Sequence, residues 1–125
     1  MDYVCDWALD DVPALMKTGA GPLVAIPYAL DLNDSVIYAV ERQATGELYS
    51  RLTATVSRFD REMSDSAPRV LTLALHPHLM GVPHRIDELV RALDLLLKHR
   101  IAVFMTGSQI CDWFLGATAG TRHVG

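Results

Sequence analysis

"RVLTLALHPHLMGVPHRIDELVRALDLLLKHRIAVFM", residues 69–105, sets two apolar runs on either side of an amphipathic stretch. The first run, 69–76, is apolar on both faces, as a strand inside a parallel sheet should be. Residues 84–100 carry Ile86, Leu89, Val90, Leu93, Leu96 and Leu97 at helical spacing. Acids open that stretch and Lys98, His99 and Arg100 close it, which suits the dipole of a helix. "IAVFM" (101–105) reads as a second buried strand, and Thr106 or Ser108 can cap a short helix through "QICDWFLGA". Strand, helix, strand, helix from 69 to 115 implies an α/β fold with a parallel sheet and right-handed crossovers.

The rest of the chain reads consistently with this. "YVCDW" (3–7) is expected to be a short strand, and "LDDVP" stops regular structure at a proline. "ALMKTGAGPLVAIPYAL" (14–30) breaks at Gly-Ala-Gly-Pro between two apolar runs. The second run is expected to be a strand, closed by the polar "DLND" (31–34). Leu48, Leu52, Val56 and Phe59 recur at helical spacing, so residues 44–65 predict a helix starting at Thr45 or Gly46. Residues 1–117 are expected to form one domain and residues 118–125 a frayed tail.

At 125 residues, half of them hydrophobic, the chain can bury a real core, and disorder is not expected. The net charge of −4 leaves no electrostatic footprint for nucleic acid, and no basic block marks a membrane surface. No apolar run approaches the roughly 20 residues that span a bilayer. The opening residues are acidic, without the positively charged start of a secretory signal. Cys5 and Cys111 match no C-x-x-C spacing and read as two reduced thiols, so a cytoplasmic location is expected.

In barrels and open α/β sheets the catalytic face lies at the C-terminal ends of the strands. Three expected strands end in polar clusters, Asp6 to Asp11, Asp31 to Asp34 and His76 to Arg85, and these are expected to converge on one face. His76 is the first polar residue after a buried strand. It is either a general acid that protonates a leaving nitrogen or oxygen, or a hydrogen-bonded residue that simply ends the strand. His76 and His78 form an H-x-H pair, but Pro77 separates them and no third ligand has a recognisable spacing, so no metal is expected in this chain. His84 and Arg85 open a helix, where a solvated role is the default, although Arg85 can bind a substrate carboxylate. Asp10, Asp11, Asp31 and Asp34 either orient His76 and bind substrate amide groups, or serve as ordinary turn and cap residues beside Asn33. Trp7 either walls a substrate groove or packs in the core, and Asp112, Trp113 and Phe114 read as packing.

"CDWALDDVP" (5–13), "AIPYALDLND" (25–34), "LTLALHPHLMGVPHR" (71–85) and the closing "DWF" (112–114) resemble the C-terminal half of the polysaccharide deacetylase (NodB-type) superfamily. The branch that contains allantoinase-like enzymes is the nearest. The resemblance covers nearly all of residues 3–115 and implies the C-terminal part of a distorted (β/α) barrel. It further implies a hydrolase of non-peptide carbon–nitrogen bonds, whose substrate is an N-acetylated sugar or a cyclic ureide such as allantoin. His76 matches the catalytic acid of the family's last motif. Asp6, Trp7, Asp10 and Asp11 match the motif before it, and Asp31, Asn33, Asp34, His78 and Arg85 complete the implied substrate pocket.

The family's N-terminal half carries an Asp pair and a His-x-x-x-His-type motif, which supply the base and the ligands for a divalent metal such as zinc. This sequence has no F-D-D-G stretch and no histidine before His76. The resemblance therefore implies a truncated form that lacks its base and metal site. Such a chain is expected to associate with itself or with a missing N-terminal half. The alternatives are a non-catalytic binding or assembly module that keeps half of the barrel pocket, and an intact small α/β protein.

Overall fold

Gly19 and Ala20 separate two apolar runs by the two residues that a tight hairpin needs, and strands form on both sides of them. The computed structural model describes residues 3–7, 10–63 and 68–121, and its chain divides into two units. One unit, Met1–Tyr28 with Val103–Gly125, holds strands β1 (Tyr3–Trp7), β2 (Ala14–Thr18) and β3 (Gly21–Pro27) in the order β1-β3-β2. β3 runs parallel to β1 and antiparallel to β2. As the central strand it has a partner along both edges, and its Val24, Ala25 and Ile26 are consecutive, apolar and buried. The Thr18 hydroxyl donates to the Gly21 carbonyl at 2.6 Å, and Gly21 takes the positive φ of 118° that closes the hairpin.

The other unit, Ala29–Ala102, is helical around two apolar clusters. A π-helical turn, Ser35–Val40, precedes α1 (Glu47–Glu62), the short α2 (Pro77–Met80) and α3 (Ile86–Lys98). Leu48 and Leu52 of α1 are fully buried, as their spacing predicts, and Gly46 is the N-cap, at a positive φ of 110°. Leu32, Leu52 and Ala92 form one cluster; Ile37, Tyr38, Leu48 and Met80 form the other. In the first unit, α4 (Gly107–Thr121) packs on β1 and β3. A Cβ at Gly107 would lie 2.7 Å from the Tyr3 ring, so a glycine is needed where this helix starts. The helix continues past the expected end of the domain at residue 117, and residues 122–125 lie outside the described residues.

Two expectations are corrected. The run 69–76 is not a strand of a ladder; only Ala74 makes a β-bridge, parallel to Asn33. The Ala74 N–H donates to the Leu32 carbonyl and the Asp34 N–H to the Ala74 carbonyl, each at 3.1 Å. A strand inside a parallel sheet needs a neighbour along both edges to satisfy its backbone, and this run pairs along one. The run 101–105 forms no strand either; Val103 is 77% and Phe104 58% exposed. The expected parallel sheet between 69 and 105 is thus reduced to one bridge, and the parallel ladder that exists is β1–β3. The apolar stripe of α3 also divides: Leu89 and Leu96 are half-buried, whereas Ile86, Val90, Leu93 and Leu97 are exposed. Among the described residues no helix is long and apolar enough to cross a membrane.

Candidate active site

Proline at 77 cannot continue a strand, but it is well suited to the first turn of a helix, and here it opens α2. His76 is left at the hinge, with extended backbone (φ −117°, ψ 123°), where its carbonyl accepts from the N–H groups of Leu79 (2.9 Å) and Met80 (3.0 Å). Its side chain is turned to Asp34. The ring Nδ1 lies 2.6 Å from Asp34 Oδ1, and the His76 backbone N–H donates to Asp34 Oδ2 at 2.7 Å. Asp34 is fully buried, while the His76 side chain is 42% exposed. One carboxylate therefore holds both the backbone and the ring of the histidine.

That geometry has a chemical consequence. With Nδ1–H donating to the carboxylate, the tautomer is set and Nε2 is the nitrogen left for proton exchange. His78 lies edge-on to His76, with ring centroids 5.7 Å apart at 72°, and is exposed on α2.

The remaining expected site residues fall in different places. Asn33 is buried and accepts from the N–H groups of Ser35 (2.9 Å) and Val36 (3.4 Å), so it caps the π-helical turn. Asp31 is exposed, and its carbonyl accepts from Arg51 at 3.4 Å. Arg85 stacks on the Tyr38 ring, 4.3 Å from its centroid, and donates to the Leu79 carbonyl at 3.2 Å. In the other unit, Asp6 is exposed on β1, Trp7 ends that strand, and Asp10 is exposed, with its carboxylate accepting from the Asp11 N–H at 2.7 Å. Asp34 and His76 are joined side chain to side chain.

Glu88 is the residue whose importance the sequence did not reveal. Its place in the first turn of α3 reads as a solvated dipole partner, yet it is 2% exposed. Its carboxylate accepts from the Tyr38 hydroxyl at 2.7 and 2.8 Å and from the Tyr49 N–H at 3.0 Å. The Tyr38 oxygen in turn accepts from the Leu48 N–H at 3.1 Å, so the pair caps the start of α1 from a distance. Burial pushes the Tyr38 hydroxyl up to about 12; the Leu48 N–H pulls the other way, and the bond and charge of Glu88 add to the rise. A surface cleft of about 470 Å³ lies elsewhere, lined by Tyr49, Arg91, Asp94, Leu95, Lys98 and His99, and contains none of the expected site residues.

A divalent metal, as the resemblance implies, needs several donors at one point. Among the described residues no group of three or more His, Cys, Asp or Glu side chains is placed to hold one. His76 Nδ1 is already committed to Asp34. The described residues do not fit such a metal.

No family model and no curated protein matches this sequence. Solved structures do. A probable polysaccharide deacetylase from Pseudomonas aeruginosa PAO1 superposes with a TM-score of 0.77 at 29% identity, over 88% of this chain and 37% of its own. A Puue allantoinase superposes with a TM-score of 0.82 at 26% identity, over 91% of this chain and 38% of its own. The chain thus spans somewhat more than a third of the length of these two proteins. The mixed α/β architecture and the sequence identity agree with the resemblance carried by the motifs ending at His76: over most of its length this chain is similar to a part of a polysaccharide deacetylase and of an allantoinase.

Proposed function

We propose that this chain carries the proton-donating side of an amidohydrolase pocket, acting on non-peptide carbon–nitrogen bonds of N-acetylated sugars or of a cyclic ureide such as allantoin. The observation that carries this reading is the His76–Asp34 pair: a half-exposed imidazole gripped by a fully buried carboxylate. A hydrogen-bonded strand terminator would not require a buried charge to be spent on its ring. In the reaction, a water oxygen adds to the amide carbonyl carbon and the C–N bond breaks. The Nε2 proton of His76 goes to the departing nitrogen, while Asp34, bonded to Nδ1, holds the ring in position. The base that takes the water's proton belongs to the Asp-pair motif, which has no counterpart in this sequence. By the resemblance, Asp6, Trp7, Asp10 and Asp11 bind substrate in this proposal, and His78 stands beside His76. Two reduced cysteines, Cys5 and Cys111, make a cytoplasmic setting part of this proposal.

The test joins the chain and its His76→Ala variant to the Asp-pair half of the family's barrel and compares them for acetate release from N-acetylated sugars and for ring opening of allantoin. Loss of about 100- to 10,000-fold of any turnover is expected, and turnover unchanged in a folded variant overturns the assignment. Ligand binding is read in parallel from the His76 ring signals by NMR. An amide ligand is expected to shift them and leave those of His84 in place; if His76 does not respond to any ligand, the pocket reading fails. A non-catalytic assembly module is the second reading, favoured by the exposed apolar residues of α3 and of 101–105.

A further inference from the structure

Ile86, Val90, Leu93 and Leu97 are 39, 53, 36 and 68% exposed on α3. Spaced by four, three and four residues, they make one row along the helix, turned away from the face that buries Glu88 and Ala92. Asp87, Arg91, Asp94 and Lys98 run along one flank of this row, and the half-buried Leu89 and Leu96 run along the other. Two acids and two bases make the charged flank neutral as a whole.

We propose that this row is a homodimer face, on which a second copy of the chain lays its own α3 antiparallel to the first. The antiparallel orientation is the self-complementary one. A two-fold axis across the pair sets Ile86 opposite Leu97 of the partner subunit and Val90 opposite Leu93 of the partner subunit, the alternating spacing that lets knobs enter holes. It also brings charged flank to charged flank. Lys98 of the partner subunit then stands about two residues' rise, roughly 3 Å along the axis, from Asp87, and Asp94 of the partner subunit stands as near to Arg91. A parallel pair would instead press the charged flank against Leu89 and Leu96 of the partner subunit and strip water from charges without pairing them.

Sedimentation of the whole chain at micromolar concentrations tests this, with a mass twice that of the chain expected. Val90→Lys and Leu97→Lys replace side chains that are more than half exposed, so circular dichroism should be unchanged. Each should raise the dimer dissociation constant at least about tenfold. Orientation is read by disulfide trapping in a Cys5→Ser background. Val90→Cys mixed with Leu93→Cys should cross-link more than either variant alone. A monomer throughout the range overturns the proposal and leaves the row to a different polypeptide. A dimer indifferent to both lysines overturns the choice of face, and best trapping of each cysteine with itself overturns the antiparallel arrangement.

Discussion

A carboxylate without solvent is costly unless donors reach it, and Asp34 obtains two from His76, one from the backbone and one from the ring. His76→Ala should therefore destabilise the fold by about 1–3 kcal/mol, because it leaves a buried acceptor short of a partner. His78 and His84 are exposed, and alanine at either should change stability by less than about 0.5 kcal/mol. Urea unfolding of the three variants checks this, and equal effects would remove the special standing of the pair. The Tyr38–Glu88 bond makes a second prediction, in pH. The folded hydroxyl titrates near 12, above the ordinary tyrosine value of about 10. Below pH 10 the stabilisation is complete; as pH rises from 10 through 12 the unfolded chain loses its proton first, and stability falls. Tyr38→Phe should flatten that alkaline loss, and should cost about 1–3 kcal/mol at neutral pH because Glu88 loses a donor. Thermal melts of both proteins between neutral pH and pH 11 measure it.

At the scale of elements, α1 and α3 are held as a pair by Leu48, Leu52, Ala92 and the Glu88 cap, whereas the two apolar runs that flank α3 are extended without being laddered. Backbone hydrogen bonds decide how such runs behave in exchange experiments. The amides of Asp34, Ala74 and His76 each have an acceptor at 2.7–3.1 Å and should exchange slowly. The amides of Val103 and Phe104, in an exposed segment outside any ladder, should exchange orders of magnitude faster. Protection of Val103 and Phe104 equal to that of Ala74 would mean that 101–105 is a paired strand after all.

For the whole molecule, the exposed apolar side chains and the fraction of its relatives that the chain spans belong together. Leu97 at 68% and Val103 at 77% exposure are large side chains in water, and the chain spans 37–38% of the two solved proteins it resembles. Apolar area on this scale promotes association. Leu97→Lys with Val103→Lys should raise solubility severalfold while shifting folding stability by less than about 0.5 kcal/mol per site, since little packing is lost. Light scattering and urea unfolding of the double variant test both halves of that statement. A large loss of stability would show that these residues pack against something in the folded chain.

What the sequence by itself determined was local. The 3.6-residue spacing placed α1 and α3 within a few residues of their ends, the Gly-Ala-Gly-Pro break separated the two apolar runs, and the apolar run ending in His76 marked the place of the candidate acid. Periodicity and turn chemistry act within a few residues, so a single chain displays them directly. Three things were decided by the tertiary structure alone. An acid in "DLND" reads as a turn residue until a run some forty positions later lies beside it, and only then is Asp34 the partner of His76. Glu88 reads as a solvated first-turn acid until Tyr38 and the start of α1 close over it. Two β-forming runs read as strands, and they stay unladdered because a strand depends on neighbours that its own residues do not specify.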